Sequence, residues 1–331
     1  MKILVIFTGG TIGSTKSGSV IDIDAETSFQ LLESYLAQPQ AKAVEFKTQQ
    51  PIYILSENLV PNDWDALLYT LNGVDQSQYD GIIVAHGTDT LPYTAAAISF
   101  GIQQCDVPVM LVSSDYPLDD ERANGLANFT GAIDFIAQGV VAGVFVVFKN
   151  NNDETLVHLG SRLREADPYT DDFDSVAGVV FGKMENGQFI YHDDKRNVSL
   201  DALKAYDFSV RKTVSFDAEV LLIQPFAGLN YDYFKFDVHK PKAVLHGLYH
   251  SGTANTSDST KHSIKTFAAY CKAHGVPMYA APMKQTEDVY QSAKDLMDAG
   301  VKPMVGMSLE ATLVKLMMDL PEDDTVYFEQ L

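Results

Sequence analysis

The chain reads as an α/β protein with a larger N-terminal open α/β sheet domain and a smaller C-terminal parallel α/β domain. Three observations predict this. The 331 residues exceed the span of one ordinary domain, roughly 100–200 residues. Hydrophobic residues make up 46% and charged residues 21%, a globular balance able to bury two cores. Short unbroken apolar runs alternate with segments of helical period through both halves of the chain.

Each element follows from its local pattern. Lys2–Thr8, Gly81–His86, Pro108–Ser114 and Gly143–Phe148 are continuous apolar runs, the signature of strands buried on both faces. Thr27–Ala37, Asn62–Asn72, Tyr93–Gln104 and Arg122–Gln138 carry apolar residues at helical spacing. Glu185-Asn186-Gly187 interrupts Val179–Tyr191 and predicts a hairpin turn. Residues 192–213 are rich in Asp, Lys, Arg and Ser and read as the connection between a domain at 1–191 and one at 214–331. In the latter, Ala218–Pro225, Ala243–His250, Pro277–Ala281 and Pro303–Met307 are strand candidates. Helical patterns over Ser259–His274, Gln285–Ala299 and Leu309–Leu320 separate them.

Charge narrows the function. Lysine and arginine number 24 against 44 aspartates and glutamates, a net charge of −20, so a nucleic-acid partner is not expected. Cys105 and Cys271 lie far apart in apolar segments and read as buried thiols. The first apolar run is too short for a signal-peptide core and no later run reaches membrane-spanning length, which predicts a soluble cytoplasmic protein.

Two segments share a design of strand, glycine, threonine and helix: Phe7-Thr8-Gly9-Gly10-Thr11-Ile12-Gly13 and His86-Gly87-Thr88-Asp89-Thr90. In an open α/β sheet, ligands bind outside the carboxyl ends of the strands, where both would lie. Glycines such as Gly10 and Gly87 let the backbone approach a ligand, and N–H groups at a helix start favour a developing oxyanion. Threonine offers a hydroxyl nucleophile that a neighbouring base must activate, and Asp89 a carboxylate for a substrate ammonium. Either segment alone also fits a plain turn in which threonine caps a helix. Their joint presence favours a site.

With these blocks the chain resembles the bacterial-type L-asparaginase/glutaminase family, closest to its cytoplasmic type I members, through Thr8–Ile12 and His86–Thr90. Ser56-Glu57-Asn58 with Pro61 and Trp64 is similar to the family's substrate-carboxylate loop. Ser113-Ser114 with Pro117, Arg122, Gly125 and Asn128, then Gly160-Ser161-Arg162, then Glu310-Ala311-Thr312 with Lys315-Leu316, extend the likeness in order. The resemblance implies hydrolysis of L-asparagine to L-aspartate and ammonia, with Thr11 as nucleophile and Thr88 and Asp89 in a second hydroxyl-centred triad. It implies that Ser56 holds the substrate α-carboxylate, and that Glu57 and Asp89 hold the α-ammonium. It further implies backbone N–H groups of Thr11 and Thr88 in an oxyanion hole, and a homodimer or homotetramer with sites at subunit contacts; the residues themselves indicate no metal or organic cofactor.

Two departures stand out. The family's lysine, three residues after the arginine of its G-x-R segment, is Glu165 here, and Arg164 cannot serve as a base. Ser14–Asp22 holds none of the family's lid tyrosine. These departures open two alternatives: an amino-acid-binding protein with weak or no turnover, and an amidase for a larger or derivatised amide. Lys183 is a candidate to relieve repulsion between Glu165 and Asp89. A phosphate-loop reading of Gly10–Ser17 fails where Thr15 replaces the second glycine. Asp167, Asp171, Asp172 and Asp174 lack calcium-site spacing and read as a solvated acidic loop. His246 and His250, on a strand, read as packing residues, and Trp64 as core.

Overall fold

The apolar runs become the centre of a sheet. The structure, a computed structural model, describes residues 1–9, 14–17, 20–23, 27–208, 214–217, 219–258, 260–284 and 288–318. Contacts divide the chain into two units, Met1–Ser215 and Phe216 onward.

In the first unit the strands are β1 (Lys2–Phe7), β2 (Ser14–Ser17), β3 (Val20–Ile23), β4 (Glu45–Gln49), β5 (Gly81–Ala85), β6 (Pro108–Val112), β7 (Gly143–Lys149), β8 (Thr155–Leu159), β9 (Gly182–Glu185) and β10 (Gln188–Tyr191). Eight of them form one sheet in the order β10-β9-β8-β7-β6-β5-β1-β4. β7, β6, β5, β1 and β4 pair in parallel, and β8, β9 and β10 extend the sheet antiparallel. β5 and β6 are buried at every residue, as the unbroken apolar runs require. The helices are α1 (Thr27–Leu36), α2 (Pro61–Asn72), α3 (Leu91–Gly101), α4 (Gly125–Gln138) and a short α5 (Leu200–Ala205). The predicted turn joins β9 to β10, with Asn186 and Gly187 both at positive φ, the hairpin geometry that Asn-Gly favours.

The strand order positions the site. β4 lies on one side of β1, and β5, β6 and β7 follow on the other, so the winding reverses between β1 and β5. The crevice beyond the carboxyl ends of those two strands is where such a sheet binds ligands. Thr8-Gly9 and His86-Gly87-Thr88-Asp89 are those ends.

Five elements of this unit, β2, β3, β4, β8 and α5, were not predicted. The run Glu45-Phe46-Lys47-Thr48-Gln49 of β4 is polar and largely exposed because it forms the sheet edge, where charge discourages further pairing. The antiparallel pair β2–β3 lies within the segment compared above with a lid. α5 falls in the stretch read as a connection, and its Leu203 is buried with the core of the first unit.

The second unit holds β11 (Val220–Ile223), β12 (Ala243–Gly247), β13 (Met278–Met283) and β14 (Lys302–Val305), all parallel in the order β11-β12-β13-β14. α6 (Ile264–Ala273), α7 (Gln291–Asp298) and α8 (Leu309–Met317) alternate with them as the periodicity predicts. A larger mixed sheet unit and a smaller parallel one is the fold class read from the sequence. His246 is fully buried, taking a hydrogen bond from the Tyr231 hydroxyl at 2.8 Å, while His250 is exposed.

Candidate active site

The site is built on the ends of β1, β5 and β6. Thr8 donates its backbone N–H and its hydroxyl to the Ala85 carbonyl, at 3.1 and 3.0 Å. Its own carbonyl accepts from Ile54 N–H at 3.0 Å. Gly9 sits at φ 102°, and a Cβ there would lie 2.2 Å from the Ile54 carbonyl oxygen. Only glycine allows that approach, which draws the segment carrying Ser56 to the mouth of the sheet. Gly10 and Thr11, expected to bind substrate and to supply the nucleophile, lie outside the described residues.

Ser56 opens a short helical turn, Ser56–Asn58, and is buried. Its hydroxyl donates to Asp89 Oδ2 at 3.1 Å, and its carbonyl accepts from the Thr90 hydroxyl at 2.9 Å. Ser56, Asp89 and Thr90 are therefore brought together as one unit. Asp89 is exposed, and α3 is capped at Thr90 without a side-chain bond, so Asp89 does not act as the helix cap. Glu57 is exposed on the same turn.

Behind Thr88 runs a buried relay. Trp64 Nε1 donates to Thr94 Oγ1 at 3.1 Å, and Thr94 Oγ1 lies 2.9 Å from His86 Nε2. His86 Nδ1 lies 2.8 Å from the Gly87 carbonyl, which can only accept. Nδ1 therefore carries the proton, and the Thr94 hydroxyl donates to Nε2. Burial holds the His86 imidazole down at about 4, against the opposing pull of the Gly87 carbonyl and Asp89, so the ring is neutral at pH 7. Trp64 is a core residue, as predicted, with a polar task as well.

Glu165 arrives from another direction. Residues Gly160–Arg162 form a short turn packed on α3, so closely that a Cβ on Gly160 would meet Ser99 Oγ at 2.6 Å and the Ala95 carbonyl at 3.1 Å. Beyond the turn, Leu163 bridges to Ser175, and Arg164 N–H donates to the Asp174 carbonyl at 3.0 Å, closing a loop between them. Tyr93, on α3, donates its hydroxyl to Glu165. Glu165 is thus tied to α3 through Tyr93, and its side chain is exposed.

Thr88, Asp89 and Glu165 line one pocket of about 340 Å³ together with Asp115, Tyr116, Ala166, Asp167, Pro168 and Asp171. Asp167 and Asp171 line it from the acidic loop and are exposed, as read from the sequence. Asp172 instead accepts from the Asn151 backbone N–H at 2.7 Å. Lys183 is paired with Glu185 at 3.3 Å on β9 and is not a lining residue, so it does not neutralise Glu165. Glu57 is likewise outside the lining. Among the described residues no group of three or more His, Cys, Asp or Glu is placed to hold a metal ion.

Asp115 was missed. Its Oδ2 accepts from Asn124 Nδ2 at 2.8 Å, and its N–H donates to Asn124 Oδ1 at 3.0 Å. Burial pushes its carboxyl up to about 7; Asp171 and Asp172 add to this and the Asn124 bond opposes it. The available signal was its position, three residues past β6 and next to the β5 end in a parallel sheet.

Comparison with known proteins bears on the site. Residues 2–197 match the family model described as Asparaginase, N-terminal. The chain is 27% identical to a subunit of the glutamyl-tRNA(Gln) amidotransferase of Sulfolobus acidocaldarius, over 98% of this chain and 72% of that protein. Its fold is similar to the thermostable L-asparaginase from Thermococcus kodakarensis, with a TM-score of 0.75, 23% identity, and 96% and 92% of the two chains covered. It is also similar to a probable cytoplasmic L-asparaginase from Campylobacter jejuni, with a TM-score of 0.72, 19% identity, and 98% and 96% covered.

Proposed function

Because the chain belongs to the asparaginase family, we propose that it hydrolyses the side-chain amide of an amino acid, L-asparagine first, to the carboxylate and ammonia. The observation that carries this is the Ser56–Asp89 hydrogen bond at 3.1 Å beside Thr88. It presents one carboxylate and one hydroxyl side by side, the pair an α-amino acid head group needs. The substrate ammonium displaces the Ser56 hydroxyl from Asp89, and the freed hydroxyl donates to the α-carboxylate.

The side-chain carbonyl then lies toward Thr11 and Thr88. Thr11 attacks it, its proton passes to the leaving nitrogen, the C–N bond breaks, and water resolves the acyl-enzyme. Glu165, oriented by Tyr93, takes the proton of Thr88 in the second triad. Gly10 and Gly87 admit the substrate close to the backbone, and Glu57 guards the ammonium end. The same reading carries a homodimer or homotetramer in the cytoplasm, the compartment given for the Campylobacter jejuni protein. Among the described residues no helix is long and apolar enough to cross a membrane.

The relatives named as amidotransferase subunits favour a second reading, in which a partner subunit uses the ammonia. One assay separates these. Purified chain is incubated with L-asparagine and L-glutamine, and ammonia is measured against Thr11→Val, which keeps the branched shape of the side chain and removes its hydroxyl. Release lost in the variant supports the hydrolase. Release equal in both rejects Thr11 as nucleophile. Tight aspartate binding with negligible turnover replaces hydrolysis by amino-acid binding or by a subunit that needs its partner.

A further inference from the structure

Two consecutive residues between β5 and α3 grip Ser56. Asp89 accepts from its hydroxyl at 3.1 Å, and Thr90 donates its own hydroxyl to the Ser56 carbonyl at 2.9 Å. The first tie is the one a substrate ammonium displaces. The second has so far been given no task. Thr90 sits at the N-cap position of α3, where a threonine side chain ordinarily accepts from a backbone N–H of the first helical turn. It makes no such bond here. Pro92, the second residue of the helix, has no N–H to offer it. The hydroxyl reaches instead to a carbonyl 34 positions away in the chain.

That carbonyl also accepts from Leu59 N–H at 3.2 Å, so both lone pairs of the oxygen are engaged and the peptide plane of Ser56 is fixed. The Cα–Cβ direction follows from that plane, and with it the reach of the Ser56 hydroxyl. Two residues earlier, Ile54 N–H is held on the Thr8 carbonyl at the end of β1, at 3.0 Å. Thr90 itself has firm support. α3 is buried nearly all round, and Thr94 N–H on the Thr90 carbonyl at 3.0 Å joins Thr90 to it. A rigid helix thus locates the turn that presents Ser56.

We infer, resting on the amidohydrolase reading above, that Thr90 is a positioning residue that sets the Ser56 hydroxyl for the substrate α-carboxylate. Once the substrate ammonium takes Asp89, the Ser56–Asp89 bond is gone. The Thr90 tie ends on the backbone and does not compete with substrate, so it keeps Ser56 in register with Asp89 in the bound state. Thr90 acts through Ser56 and has no substrate contact of its own.

The test uses Thr90→Val, which keeps the branched shape and removes the hydroxyl, and Thr90→Ser, which keeps the hydroxyl. Thr90→Val should raise KM for L-asparagine and Kd for L-aspartate by about tenfold or more, the weight of one hydrogen bond to a charged group. Its kcat should stay near that of the parent, as when binding common to the ground and transition states is removed. Thr90→Ser should return both constants to those of the parent. In a Ser56→Ala background, Thr90→Val should weaken aspartate binding no further, because the hydroxyl that it positions is already absent. A threonine with a structural task alone would lower the unfolding midpoint of Thr90→Val and leave KM and Kd unchanged. That result overturns the inference and leaves the amidohydrolase standing. Equal weakening with and without the Ser56 hydroxyl overturns it as well, since Thr90 would then act on Asp89 or Thr88. Should Thr90→Val not fold, Thr90→Ala carries the same comparison. Aspartate binding without turnover leaves the Kd comparison to decide. A parent chain that neither cleaves asparagine or glutamine nor binds aspartate ends the amidohydrolase reading, and the inference falls with it.

Discussion

At the scale of single residues, the relay behind Thr88 shows how a buried polar chain sets the shape of a loop. Trp64, Thr94 and His86 are each at most 5% exposed, so none of their polar atoms has water to fall back on. The Thr94 hydroxyl is the hinge of the relay, since it accepts from the indole and donates to the imidazole. Thr94→Val keeps the volume and removes both bonds. The indole and the imidazole each lose that bond, at about 1–3 kcal/mol for each, so we expect a loss of roughly 2–6 kcal/mol in urea unfolding. Trp64→Phe strands nothing, because the hydroxyl still has His86, and its cost comes from lost volume alone. Equal, small losses in both variants would show that the relay does not hold the loop. The relay also explains why His86 escaped notice in the sequence: it reads there as part of a glycine-threonine block, and its partners lie eight and 22 positions away in the chain.

At the scale of elements, Glu165 depends on one close contact between a turn and a helix. α3 is buried nearly all round, and its small residues Ala95 and Ser99 admit the backbone of Gly160. Gly160→Ala would push a methyl group into Ser99 Oγ, Val144 and a main-chain oxygen that cannot move far. Overpacking of this kind costs about 1–3 kcal/mol, and it would swing Glu165 away from Tyr93. Adding Ser99→Ala removes the nearest atom and should return part of the stability in a denaturant melt; no recovery would mean that the contact is not the source of strain. Elements also mark how far the sequence could be read. β1, β5, β6 and β7 were legible because strands buried on both faces leave unbroken apolar runs. β4 was not, because an edge strand is polar by necessity. In the site, Ser56, Thr88 and Asp89 stood out as parts of motifs. Asp115, Asp167 and Asp171 did not, because a lone carboxylate acquires meaning only when a neighbouring strand end places it in the same pocket.

At the scale of the whole molecule, the balance of buried titrating groups sets the response to acid. Burial holds three imidazoles neutral, His86 at about 4 and His158 at about 3 in the first unit, and His246 at about 4 in the second. Once unfolded, each takes a proton near 6.5. Between about pH 4 and 6.5 the unfolded chain therefore binds more protons than the folded one, and the stability these residues contribute above 6.5 is lost as pH falls through that window. Asp115 works in the opposite sense. Its folded carboxyl titrates at about 7 against about 4 unfolded, so its contribution is full in acid and lost as pH rises toward 7. Three groups oppose one, and near pH 5 the sum is roughly 2–3 kcal/mol lost per pH unit. His158 is the residue to probe, because it touches no part of the pocket: its Nδ1 meets the buried Ser175 hydroxyl at 2.8 Å and its Nε2 has no partner among the described residues. His158→Gln removes one titration, so the slope of unfolding free energy between pH 5 and 6 should fall by about 1 kcal/mol per pH unit. Ring nitrogen shifts followed by NMR supply the independent check. Three imidazoles that stay neutral down to about pH 5 would account for the slope, whereas three that titrate near 6.5 in the folded protein would remove its cause.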